Sequence, residues 1–175
     1  SPDDAFHIAK QLSDKDGRIQ IINKTQNEGT HLARKSGVKR AQGEYALFLD
    51  ADDELADNAL SSLAALTSQQ TFDVLHFGTE LFGENMPETV CSDILQLSNR
   101  NLPTLHGQEI AFSSFTDSEK NRQDWRILQR LYRTELLKNA FSCMSDSRLG
   151  RGQDSYEWLV IASLADTEVF HNEII

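Results

Sequence analysis

Apolar residues along this chain change their period several times, and each change marks an element. Ala5, Ile8, Ala9 and Leu12 recur at helical spacing. Ser1 stands as the cap, Pro2 at the first helical position, and Asp3 and Asp4 near the positive helix end. Asp16 and Gly17 supply a turn, and the β-branched run over residues 18–22 predicts a strand. After the polar stretch NKTQNEG, a second helix is expected over 30–41, with Ala33, Gly37 and Ala41 forming a small-residue face that would pack closely on a sheet. Residues 45–49 are apolar without alternation, as in a strand covered on both faces, and the run stops at Asp50, Asp52 and Asp53.

The alternation continues downstream. Leu60, Leu63, Ala64 and Thr67 predict a helix, and residues 72–77 a buried strand. Helix and strand exchanging in this way imply an α/β fold with parallel strands. In 83–103, Gly83, Pro87 and scattered Asn and Ser interrupt any period, which predicts loop with one short strand. A short helix is expected over 107–115 and a long one over 122–140, its inward face including Trp125, Leu128, Leu131, Tyr132 and Leu136. A last helix over 155–165 and a strand over 169–175 complete the prediction.

Composition narrows the class. A chain of 175 residues fits one domain. It is 39% hydrophobic and 25% charged, with 9 Gly and 3 Pro, so disorder and collagen-like repeats are excluded. No run of residues is long and apolar enough to span a bilayer. With 27 acidic and 17 basic residues the formal charge is −10, a field that opposes nucleic acid and anionic membranes. Cys91 and Cys143 form no Cys-x-x-Cys pair, which favours a reducing, cytoplasmic setting.

The acids after residues 45–49 are the first candidate chemistry. Open α/β sheets bind ligands beyond the carboxyl ends of their strands. Asp50 and Asp52 flank only Ala51, so both can converge on Mg²⁺ or Mn²⁺ that also grips phosphate oxygens. From spacing alone, a helix cap or a solvated turn accounts for these acids equally well.

The longer segment NEGTHLARKSGVKRAQGEYALFLDADDEL resembles the nucleotide-sugar-binding core of family 2 glycosyltransferases, which have the GT-A fold. The matching positions are Asn27, Gly29, Ala33 with Arg34, Gly37, Ala41, Gly43, Tyr45, and then Asp50, Asp52 and Asp53. The resemblance implies that Asp52 coordinates a divalent metal (Mg²⁺ or Mn²⁺) on the diphosphate of the donor, that Asp50 helps hold ribose or metal, and that Arg34 contacts the nucleotide. Lys35 departs from the family's frequent Asn. Farther on, LGRGQDSYEWLV resembles the segment whose Glu-Asp pair opens a helix and supplies the general base. Asp154 matches that base, and Gln153 replaces the Glu. Without the resemblance, Asp154 reads as a helix cap.

The fold class implied is α/β of GT-A type, Rossmann-like, with a mostly parallel sheet flanked by helices. Residues 1–175 then constitute a single, incomplete GT-A domain, because family members place an Asp-Asp-Gly segment, a strand and a helix ahead of SPDD. Without those elements, the 18–22 and 45–49 strands should each present an unpaired edge, so the native polypeptide is expected to extend upstream. The function implied is inverting transfer of a sugar from a nucleoside diphosphate sugar to a glycan or lipid-linked acceptor in bacterial cell-surface polysaccharide synthesis. The implied setting is the cytoplasm or the inner membrane face, with peripheral membrane association and oligomerisation left open. Two rivals remain: a noncatalytic nucleotide-sugar- or glycan-binding module, and a phosphate-handling α/β enzyme.

Other features carry weaker expectations. Arg122, Arg126, Arg130 and Arg133 fall near one face of the predicted 122–140 helix, where they either attract an anionic acceptor or simply face solvent. Trp125 and Tyr132 either stack on a sugar or join the core. His7, His31, His76 and His106 are expected to be structural or exposed, and His171 alone is a candidate for an accessory metal or phosphate contact.

Overall fold

The computed structural model describes residues 4–82, 88–117 and 122–175. The proposed cap Ser1, with Pro2 and Asp3, and the breakers Gly83 and Pro87 lie outside them. In chain order the elements are α1 (Ala5–Lys15), α2 (Thr30–Arg40), β1 (Tyr45–Leu47), α3 (Ala59–Gln69), β2 (Val74–Gly78), α4 (Glu88–Ser98), β3 (Leu105–His106), α5 (Gln108–Phe115), β4 (Arg130–Arg133), α6 (Thr134–Cys143), α7 (Gln153–Leu164) and β5 (Thr167–Ile174). The strands make one sheet in the order β1-β4-β2-β5-β3.

The α/β class with helices around a central sheet holds. β1, β2 and β5 share one direction, while β4 and β3 oppose them. The antiparallel β4 between β1 and β2 was not expected, because residues 122–140 read as one helix. Instead, 122–129 is irregular, Arg130–Arg133 is a strand and the helix starts at Thr134. Tyr132 pairs with Ala46 on one side and Val74 on the other. A strand enclosed on both edges is apolar on both faces, and its spacing mimics a helix stripe.

Other expectations also change. Residues 18–22 form no strand, so of the two edges anticipated there only β1 is present, at the border of the sheet. Within the 83–103 stretch, expected to be loop with one short strand, Glu88–Ser98 form α4 and the rest of the described residues, 99–103, are irregular. The face of α2 that packs inward is His31, Arg34 and Val38, not Ala33 and Gly37, which are exposed. In α3, Ala59 and Leu63 are buried while Leu60 and Ala64 are exposed. No residue of α1 is buried, so its apolar stripe faces outward.

The larger core joins α2, α5, α6 and α7 to one sheet face through Val38, Ile110, Leu137, Phe141, Trp158 and Ile161. Full burial of each aliphatic or aromatic side chain of this kind contributes roughly 1.5–3 kcal/mol. A second cluster, including Leu63, Phe72, Leu75 and Leu131, packs α3 against the opposite face. This packing fixes the end of β1 beside the starts of α2 and α7.

Candidate active site

Two helices enter the site through glycines whose backbone favours them. Gly29 precedes α2 at φ 85°, and a side chain there would also press on Arg148 at 3.4 Å. Gly152 precedes α7 at φ 70°. The Asn27 side chain accepts a hydrogen bond from the Gly29 N–H at 2.9 Å, which shapes the turn into α2. Asn27 and Gly29 belong to the motif series, and with Gly152 they set the start of each helix.

Asp154 lies in the first turn of α7, after Gly152, and makes no capping bond. Its carboxylate instead accepts from Arg34 Nη1 at 2.5 Å. The same Nη1 donates to Glu157 Oε2 at 2.9 Å, and Arg34 Nη2 reaches Asp50 Oδ1 at 3.5 Å. Arg34 therefore joins the acid at the end of β1 to the acid at the start of α7. Its side chain is 8% exposed, against 43% for Asp50 and 25% for Asp154. Burial alone would disfavour its charge, but Asp154 and Glu157 hold its pKa above the usual value. The guanidinium also sits 5.8 Å from the Phe48 ring centroid.

Behind Arg34 the network is sealed. Glu157 and His31 have side chains with 0% exposure, and His31 Nδ1 lies 2.7 Å from Glu157 Oε1. His31 Nε2 donates to the Ser145 carbonyl at 2.9 Å, and Phe141 and Tyr156 cover the ring. Burial pushes the Glu157 carboxyl up against the opposing pull of His31 and Arg34. Of the two outcomes expected for His31, structural or exposed, the first holds, whereas nothing in the motifs singles out Glu157. The signal was available: His31 and Arg34, and Asp154 and Glu157, are each three residues apart and so share a helix face.

Asp50, Asp52 and Asp53 lie on a turn in which the Asp53 N–H donates to the Asp50 carbonyl at 3.2 Å. Asp52 is exposed, without a side-chain partner among the described residues. Burial, and then the charges of Asp52 and Asp50, raise the pKa of Asp53. Among the described residues no group of three or more His, Cys, Asp or Glu could hold a metal by itself. Asp53 borders a cleft of about 150 Å³ with Phe48, Thr79 and Arg126. On the α7 side, a cleft of about 370 Å³ is lined by Phe115, Arg122, Trp125 and Ser155.

The other candidates separate. Tyr132 is buried in the core and Trp125 is 37% exposed beside that second cleft. The four arginines do not share a helix face. Arg126 donates to Asp124, Arg130 is buried against Glu168, Arg133 donates to Asp73, and Arg122 is exposed. His171 faces Glu173 Oε2 at 3.2 Å rather than the aspartates. His76 donates to the Ser98 carbonyl at 2.8 Å from within the core.

A family model described as glycosyl transferase family 2 matches residues 1–149. The chain belongs to glycosyl transferase family 2. Asp154 lies beyond the matched residues. Glycosyltransferase EpsJ of Bacillus subtilis is 25% identical over 160 residues, covering 89% of this chain and 43% of the relative. A GalNAc(5)-diNAcBac-PP-undecaprenol beta-1,3-glucosyltransferase of Campylobacter jejuni is 38% identical over 64 residues, 36% of this chain and 21% of its own. The crystal structure of S. aureus TarS residues 1–349 with UDP-GlcNAc superposes at TM-score 0.67 and 19% identity, over 100% of this chain and 48% of TarS. That likeness gives this family 2 chain the GT-A fold. The chain spans less than half the length of these relatives. No helix among the described residues is long and apolar enough to cross a membrane.

Proposed function

We propose that this family 2 chain provides the donor-binding and catalytic domain of an inverting glycosyltransferase, moving a sugar from a nucleoside diphosphate sugar to a hydroxyl of a glycan or lipid-linked acceptor. The observation that carries the reading is Arg34, which ties Asp50 at the carboxyl end of β1 to Asp154 at the start of α7. The TarS structures in complex with UDP and with UDP-GlcNAc support a nucleotide-sugar donor. The Campylobacter relative, named for a PP-undecaprenol-linked glycan, supports a lipid-linked acceptor, and we assign this transfer to cell-surface polysaccharide synthesis on the cytoplasmic face of the membrane.

Asp50, with an exposed oxygen beside Arg34 Nη2, holds the nucleotide portion of the donor. Asp154 accepts the proton of the acceptor hydroxyl as the acceptor oxygen bonds to the anomeric carbon and the bond to the diphosphate breaks. Attack from the face opposite the leaving group inverts the anomeric centre. Arg34 holds the Asp154 carboxylate in place before the acceptor arrives. The cleft lined by Trp125, Phe115 and Ser155, the residue after Asp154, is the surface assigned to the acceptor in this reading.

The donor set fits a hard divalent cation in part. Asp52 offers free carboxylate oxygens, and the repulsion from Asp52 and Asp50, which adds to burial in raising Asp53, is of the kind a cation relieves. Asp52 would hold Mg²⁺ or Mn²⁺ with the diphosphate supplying further oxygens. When bound, the ion would stabilise the negative charge developing on the leaving diphosphate.

The test is donor-dependent sugar transfer by the full-length protein. Asp154→Asn is expected to lower the rate roughly 10²–10⁴-fold while leaving donor-induced, Mn²⁺-dependent thermal stabilisation in place. A protein that binds donor yet shows no transfer in the wild type would instead be a noncatalytic binding module. Gln153 favours that second reading, because its Oε1 is buried without a partner where the family places an acid. Nucleotide release without acceptor would point to phosphate chemistry.

A further inference from the structure

We propose that His31 and Glu157 hold one shared proton as an electrically neutral buried pair, and that through Arg34 this pair positions Asp154 and fixes the net charge behind it. The inference deepens the reading of Asp154 as base and rests on it for its activity measurement.

Donor and acceptor chemistry fixes the proton count. A carbonyl oxygen only accepts, so His31 Nε2, 2.9 Å from Ser145 O, carries a hydrogen. Nδ1 stands 2.7 Å from Glu157 Oε1, too close for two lone pairs to face each other. A proton occupies that contact, on either the ring or the carboxyl. Imidazolium with carboxylate and imidazole with carboxylic acid have the same net charge, zero. The remaining oxygen, Oε2, accepts from Arg34 Nη1 at 2.9 Å. Arg34 is then left with one positive charge, and Asp154, at 2.5 Å, balances it.

Burial makes the count matter. Both members of the pair have 0% side-chain exposure, where an uncompensated charge is strongly unfavourable. The raised pKa of Glu157 points the same way. The other charged groups around the pair are peripheral. On α2, Lys35 is paired at 2.8 Å with Asp146, which is 89% exposed, and Lys39 and Lys138 line the outer groove between α2 and α6. Arg148 lies beside Gly29, and Asp50 approaches only the far nitrogen of Arg34. The remaining neighbours of His31, Phe141 and Tyr156, are aromatic.

His31 and Glu157 act through Arg34 and are therefore positioning residues. Two substitutions to the neutral amide glutamine separate their charge role from mere packing. Glu157→Gln can accept from Arg34 with its amide oxygen and donate to a neutral His31 with its amide nitrogen, so the net charge beside Asp154 is unchanged. His31→Gln removes the pair's proton and leaves Glu157 negative behind Arg34, which disfavours a second negative charge at Asp154.

The experiment measures the pH dependence of kcat for the full-length wild type and both variants, with donor KM in parallel. The expected result is an acid limb displaced to higher pH in His31→Gln. In Glu157→Gln the limb stays at the wild-type position while the plateau falls, and donor KM is little changed in either. Coincident limbs in the two variants would overturn the inference. Independently, nitrogen-15 and carbon-13 spectra of the wild-type protein are expected to show one proton shared between His31 Nδ1 and Glu157, with a second hydrogen on His31 Nε2. A singly protonated His31 beside an ionised Glu157 would refute the pair, even where a variant fails to fold. If the wild type transfers no sugar, the reading of Asp154 fails by itself and the spectra still decide the pair.

Discussion

Two arginines lie under carboxylates in this fold, and their surroundings differ in one respect. Arg130 is 0% exposed, donates to Glu168 Oε1 at 3.0 Å and to Gln123 Oε1 at 2.8 Å, and stacks 3.8 Å over Trp158. Its side-chain partners Glu168, Gln123 and Trp158 are all fully buried, so the side-chain network is closed. Arg34 also has a fully buried partner, Glu157, but its other partners, Asp154 and Asp50, reach solvent. The first arrangement fastens β4 and β5 to α7. The second holds charge at a surface where a ligand can meet it. A buried arginine alone thus says little about function, and what decides is whether one of its carboxylates stays accessible.

The sharpest way to break this comparison is to remove each arginine. Arg130→Met leaves Glu168 buried without its cationic partner and is expected to cost about 3–5 kcal/mol. Arg34→Met should cost only about 1–2 kcal/mol, because water can reach Asp154 and Asp50 and Glu157 keeps its bond to His31. Urea unfolding of both variants measures the difference. Equal losses would mean that the Arg34 network is as closed as the other.

Acid sharpens the same contrast. Burial, and then the Arg130 charge, lower the pKa of His76 from 6.5 to about 3. His76 therefore stays neutral in the folded state, while the unfolded chain takes up a proton as pH falls through 6.5. Its contribution is fully present above that value and is lost progressively toward about pH 3. By pH 4 the loss is on the order of 3 kcal/mol. His76→Gln, which keeps a donor for the Ser98 carbonyl, should flatten the stability profile between pH 6.5 and 4 relative to the wild type. Parallel profiles would show that His76 is not the group responsible.

Legibility in the sequence followed the same division between local and distant partners. β1 and its terminal acids were readable because an unbroken apolar run ending in Asp50 is a local signal. α2, α3, α5 and α7 were readable from period and boundary residues, and Arg34, Asp50 and Asp154 stood out through their motif positions. β4 was not readable. Leu128, Leu131 and Tyr132 satisfy a helical period, and only the flanking β1 and β2 make the segment a strand. Residues 18–22 failed in the opposite sense, since β-branched propensity forms no strand without a neighbouring one. In α4, Cys91, Ile94, Leu95 and Ser98 do recur at helical spacing, but the nearby Pro, Asn and Ser obscured it. Glu157 escaped because its partners, His31 and Arg34, are more than a hundred residues away.

The smallest predicted effect comes from α1, which bears an apolar stripe much as α6 does. In α6 the stripe becomes core, with Leu137 and Ala140 at 0% exposure. In α1, Ile8 is 55% exposed and Leu12 49%. Periodicity tells which side of a helix can pack, but stabilisation arises only when another surface removes that side from water. Ile8→Gln should therefore change the unfolding free energy of this chain by no more than about 0.5 kcal/mol, since it deletes no buried contact and Gln is a good helix former. A loss above about 1 kcal/mol, of the size expected from burying a methylene or more, would mean that Ile8 has a packing partner, and the contrast between α1 and α6 would fail.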